Sequence, residues 1–297
     1  MSDKVFDQDT SDRVLDRPQM LIVQLLFKEK PDMASDEDIQ AAFEPLVGNI
    51  ENITKDKSDF TAFAVPKYKA VFKDVPQGMP VLANFSAPRE FSAEKFDEFT
   101  RSQFWDVKDG SELIDECKFA IDIFAMSAAV LHYKEQAELV LAQVDAALQC
   151  YPACDAVYVH TSGKLTTPEQ FRECRQYDLS GRFIRLAVNA RFFNINGTDD
   201  MIVDTLGFYP FGAADVQMHF HGIDPNFVVN YVYNLASYQF DNEFPIKSGD
   251  TVDSIGADGS MQWEPQWKAQ YEDALIQPVR TVLDVNCGEY AAGNRNS

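Results

Sequence analysis

Eight consecutive residues, Met20–Phe27 (MLIVQLLF), hold seven apolar side chains and a single polar one, Gln24. The run is far short of the roughly 20 residues that cross a bilayer. Its lack of alternation predicts a strand covered on both faces, so the chain must build a layer on each side of a sheet. The following segments supply those layers. Ser35–Val47 reads as a helix, with Ser35 as cap and Ile39, Phe43, Leu46 and Val47 on one side. Phe60–Val65 and Tyr68–Lys73 read as short strands, Ser92–Phe104 as a helix with Phe96, Phe99 and Phe104 inward, and Cys117–Ala125 as an alternating strand. This is the order β-α-β-β-α-β. His132–Gln149 follows as a long helix with Ala137, Val140, Leu141, Val144 and Leu148 at helical spacing.

The rest of the chain reads as a second set in the same order. Strands are predicted at Ala156–His160, Phe183–Phe193, Met201–Phe208, Asp215–His221 and Pro278–Val285. Helices are predicted after Thr167-Pro168-Glu169-Gln170 and after Asp224-Pro225. Gln262–Trp267 reads as part of an edge hairpin. The expected fold is α/β of the α+β type: two ferredoxin-like β-α-β-β-α-β halves packed together and joined by a long helix. The expected divisions are an acidic disordered leader at 1–17, a first half at 18–130, a bridging helix at 131–153, a second half at 154–286 and a frayed tail at 287–297.

Charge limits the partners. The chain carries 47 Asp and Glu against 26 Lys and Arg, a net −21 spread over both halves of its 297 residues. Such a surface repels phosphate backbones and anionic lipid, so nucleic acid and membrane are disfavoured and a protein with a basic surface is favoured. The leader region is polar, without the apolar core of a signal peptide. Five cysteines, an odd and sparse set, do not make a disulfide framework. Cys150 and Cys154 have a spacing known from some zinc sites, but no second Cys/His pair follows. These features predict a soluble cytoplasmic protein.

Several strings carry a family likeness: MLIVQLLFKEKP (20–31), TLGFYPFGAADVQMHFHGIDPNFVVNYVYNLASYQF (205–240), SGDTV (248–252) and QPVRTVLDV (277–285). Together they resemble the bacterial family catalogued as domain of unknown function 4261. The resemblance implies a bacterial cytoplasmic protein and transfers no catalytic residue onto this sequence. An association with secretion systems or toxin–immunity pairs is an analogy with other uncharacterised families.

Chemistry concentrates at Asp215–His221 (DVQMHFH). Strand period puts Asp215, Gln217, His219 and His221 on one face. His219 and His221 present an H-x-H pair to which zinc or another divalent metal could bind, although Asp215 stands too far along the strand to share it. The competing reading is a half-exposed strand whose outer residues are polar because they meet water. On the Phe183–Phe193 strand Arg185, Asn189 and Arg191 would line the polar side, with Arg191 and Asp215 as a cross-strand pair. Trp263 and Trp267, four apart in the hairpin region, are candidate interface anchors. No glycine-rich dinucleotide loop, P-loop or nucleophile elbow is present. The expected function is a non-catalytic protein-interaction module without a cofactor, an immunity protein being one concrete form. The alternatives are a metal-dependent hydrolase using His219 and His221, or a small-ligand sensor using the polar sheet face. The binding candidates are therefore Arg185, Arg191, Asp215, Gln217, His219, His221, Trp263 and Trp267.

Overall fold

A computed structural model describes residues 20–55 and 59–293, and shows an α+β fold. The expected leader at 1–17 lies outside the described residues. The described chain divides between Ala187 and Val188 into two compact units.

The first unit is built on one sheet. Its strands are β1 (Val23–Phe27), β2 (Glu51–Asn52), β3 (Phe60–Phe72), β4 (Val75–Ser86), β5 (Arg89–Glu90), β6 (Phe119–Met126), β7 (Ala156–Val159) and β8 (Lys164–Thr166). They lie in the order β2-β3-β4-β6-β1-β7-β8, with β5 also on β6. Val23–Phe27 of the apolar run thus becomes a central strand, buried along its whole length between β6 and β7, while Met20 before it is exposed. Helices α1 (Asp36–Val47) and α4 (Tyr133–Cys150) pack together on one face, where Phe43 of α1 meets Phe63 and Phe85. The segment 91–117, with short helices α2 (Glu98–Arg101) and α3 (Gly110–Glu116), covers part of the other. There Phe96 and Phe104 pack edge-on against Tyr158 beside Leu26 and Leu165.

Three expectations change here. The single helix over 92–104 is broken, because two capping residues compete for it. Ser92 caps a 3-10 turn at Ala93–Lys95, Asp97 accepts from the Thr100 N–H to start α2, and Phe96 between them is extended. Phe99 is consequently exposed. The strand order also departs from the ferredoxin-like one. Because β6 lies between β4 and β1, three antiparallel steps separate β1 from β3, and α1 makes no parallel crossover between them. Finally, the long helix is not a bridge. Asp145 on α4 takes Arg175 (2.8 Å) and Arg182 (2.5 Å), the latter on α6 (Leu179–Ala187), which holds α4 within the first unit. Thr167 and Gln170 form the expected capping box of α5 (Pro168–Glu173), in this unit as well.

The second unit does not repeat the first. Strands β9 (Asn189–Asn194), β10 (Met201–Leu206) and β11 (Asp215–Phe220) precede one helix, α7 (Pro225–Asp241). Strands β12 (Thr251–Ile255), β13 (Met261–Asp273) and β14 (Thr281–Asn286) follow it. The sheet order is β12-β13-β14-β11-β10-β9, parallel only between β11 and β14. Helix α7 covers the apolar face, resting Tyr231 against Trp267 with ring centroids 5.4 Å apart. Residues 287–293 are not frayed: Ala291 bridges to Phe220, the Ala292 N–H donates to the His219 carbonyl, and Cys287, Ala291 and Ala292 are buried. Among the described residues no helix is long and apolar enough to cross a membrane. All five cysteines are free, and burial raises the Cys154 thiol well above its usual range.

Candidate functional site

The polar side of the second sheet is buried, contrary to the expectation of a half-exposed strand. Asp204, Asp215, Gln217, Arg280 and Asp284 are all inaccessible to solvent. Burying charge is costly unless every group finds a partner, and here the partners can be traced atom by atom. Arg280 Nε donates to Asp215 (3.2 Å), Nη1 to the carbonyls of Ile276 and Pro278, and Nη2 to Asp204 (2.6 Å) and the Thr205 carbonyl. Those bonds use all five guanidinium donors. Asp204 also takes a two-pronged contact from Arg191, its register partner on β9, at 2.9 and 2.6 Å. The expected Arg191–Asp215 pair is therefore replaced by a chain of four: Arg191, Asp204, Arg280, Asp215.

Asp215 has a second task. Its carboxylate accepts from the N–H groups of Gly207, Phe208 and Tyr209, tying down the turn that leaves β10. Burial pushes this carboxyl up, while Arg280 and the Phe208 N–H pull it down. Arg280 is held above its ordinary value against burial by Asp204 and Asp215. Gln217 bonds Asp284 (2.8 Å) and accepts from the Leu275 N–H, so the 274–280 segment folds over the polar face. Two arginines balance two aspartates, every guanidinium donor of Arg280 is used, and the arrangement holds β9, β10 and β11 to the 276–280 segment.

The other candidates separate. Arg185 is on α6, not on a strand, and stacks 3.8 Å over the Tyr177 ring. Ile184, Leu186 and Val188 alternate as a strand would, but Phe183, Ile184, Leu186 and Ala187 also fit one helical face, and the Asp178 side chain accepts from the Gly181 N–H at the helix start. His219 is on β11, 4.0 Å from Asp200. His221 falls just beyond the end of β11, its N–H donated to the Tyr290 carbonyl. Among the described residues no three His, Cys, Asp or Glu side chains come together where they could hold a metal ion.

The two tryptophans also part company. Trp267 is 3% exposed, in the core against Tyr231, whereas Trp263 is 78% exposed. The cause is a large bulge. Val252 pairs with Trp267 and Ser254 with Gln262, so Asp253 on β12 stands opposite Trp263, Glu264, Pro265 and Gln266 on β13. Such a bulge re-aims side chains away from the sheet. Gln266 fastens it through Thr251 (2.7 Å) and Asp253 (3.4 Å). Met261 is exposed beside it, and Asp253, Asp258 and Glu264 stand on the same hairpin.

The class defined by these features is an α+β protein whose C-terminal unit is organised by a buried Arg–Asp network. Residues 204–286 match the model of the family described as Domain of unknown function (DUF4261). The matched stretch starts at Asp204 and takes in Asp215, Gln217, Arg280, Asp284 and the Trp263 bulge, leaving Arg191 outside it. No curated protein and no solved structure matches the chain.

Proposed function

We propose that the chain is a non-catalytic protein-interaction module, with Trp263 as the anchor of its docking surface. The supporting observation is the 78% exposure of this indole on a bulge held in place by side-chain hydrogen bonds. A large apolar side chain kept in water is a standing cost that a bound partner removes. The neighbouring Asp253, Asp258 and Glu264, and a net charge of −21, favour a partner with a basic surface. The polar chemistry of the second unit, the expected alternative site, is consumed by its own ion pairs. The proposed setting is the cytoplasm, where free thiols persist, and neutralisation of a basic toxin is one form the role would take.

The test compares affinity capture by the full chain and by its Trp263→Ala variant at low and raised salt. A basic partner held by the parent, released by salt and lost with the variant is the expected result. Equal capture by both chains would remove Trp263 from the interface.

A further inference from the structure

The one polar residue in the apolar run of β1 is fully buried on the face opposite α1 and α4, and it organises a second cluster in the first unit. Gln24 lies beside Asp122 on β6 and Tyr158 on β7. Its Nε2 donates to Asp122 (2.6 Å) and its Oε1 accepts from Lys95 Nζ (3.3 Å). Arg89 of β5 grips the same Asp122 with Nε (2.6 Å) and Nη2 (2.9 Å). His160, just past β7, packs edge-on against Tyr158 at 5.2 Å.

Lys95 is the unusual member. No described carboxylate forms an ion pair with this ammonium: burial and Arg89 lower its pKa, and the nearby Asp122 opposes them. The ammonium stands instead over the rings of Phe91 and Phe96, at 4.6 and 5.0 Å. With one of its three donors on Gln24, two remain. Arg89 places one further donor on the Glu90 carbonyl (3.2 Å), which leaves two of its five. Asp122, which would repel an anion, is already matched by Arg89 and Gln24. The imidazole of His160 makes no hydrogen bond to a described residue. Arg89, Lys95 and His160 are all solvent-exposed, so their remaining donors face water, and the Asp122–Gln24 pair brings Arg89 and Lys95 together in a protein that is otherwise strongly negative.

We propose that Lys95, Arg89 and His160 form a binding site for a small oxyanion, a phosphate or carboxylate group. The field at His160 agrees with this. Partial burial lowers its tendency to take a proton, Lys95 and Arg89 lower it further, and Asp122 opposes them. An arriving anion offsets the two cations, so His160 takes up a proton as the ligand binds and adds a charged donor to it. The site is in the first unit and does not depend on Trp263.

The full chain is titrated with inorganic phosphate and, separately, with acetate, at constant ionic strength set by chloride. The His160 ring signals are followed by NMR, assigned against a His160→Gln variant among the four histidines. A saturable shift, an upward move of the His160 pKa, and weakening by about tenfold or more in Lys95→Gln with recovery in Lys95→Arg are expected. Saturation by phosphate alone identifies a phosphate site, and saturation by acetate alone a carboxylate site. A non-saturating shift with both anions, or saturation unchanged in Lys95→Gln, overturns the proposal.

Discussion

Arg280 spends every N–H donor inside the protein, on two carboxylates and three carbonyl oxygens. Removing it leaves Asp204 with Arg191 alone and Asp215 with only its neighbouring N–H and hydroxyl donors, both fully buried. Arg280→Met is expected to cost about 3–5 kcal/mol in urea denaturation, the range for breaking a buried pair from one side. Arg280→Lys should recover only part of that loss, because an ammonium cannot span both carboxylates and the carbonyls. A loss under about 1 kcal/mol would mean that the aspartates relax or take up protons instead. Gln24 works on the same principle in the first unit, since its amide satisfies one acceptor and one donor at the centre of an otherwise apolar strand.

At the scale of elements, spacing alone did not separate look-alikes. Trp263 and Trp267 stand four apart on β13, but the bulge between them sends one outward and the other into the core. Trp267→Ala should therefore cost about 3–5 kcal/mol, as large core truncations do. Trp263→Ala should stay within about 0.5 kcal/mol of the parent. Matched denaturation curves of the two variants check this, and a large loss from Trp263→Ala would make that indole structural. The segment 183–193 is a related case. Its apolar residues satisfy both a strand and a helix, so spacing alone does not place Arg185 on α6. Capping by Asp178 marks the helix start. In 92–104 the signal was present but doubled: Ser92 and Asp97 each begin a turn, and the chain obeys both.

Across the whole molecule, acid should act through identifiable groups. His160 has a folded pKa below its unfolded value of about 6.5, so the unfolded chain binds the extra proton. Its contribution to stability is present above about pH 6.5 and is lost as pH falls through the folded value. Asp122 is raised by burial but held below the usual carboxylate range by Arg89 and Gln24. Its contribution is present above about pH 4 and disappears at lower pH. Thermal melts from pH 7.5 to 5 should show a decline that His160→Gln flattens, whereas the decline below about pH 4 should persist in that variant. An unchanged slope in His160→Gln would place the titrating group elsewhere.

The covered central strand, the caps at Ser35, Thr167 and Asp224, the long helix after His132 and the α+β class were legible in the residues themselves. Each rests on local chemistry: unbroken apolarity, a side-chain oxygen near free N–H groups, or a periodic apolar face. Strand order, the division after Ala187 and the fate of the polar residues were decided only in three dimensions. Asp204, Arg191 and Arg280 are distant in sequence, and nothing local to any of them says that the others will arrive. A polar strand face looks the same whether water or a buried guanidinium will satisfy it. The choice falls to whichever segment folds across that face, here 274–280, and for the run MLIVQLLF to the lysine that reaches its single glutamine.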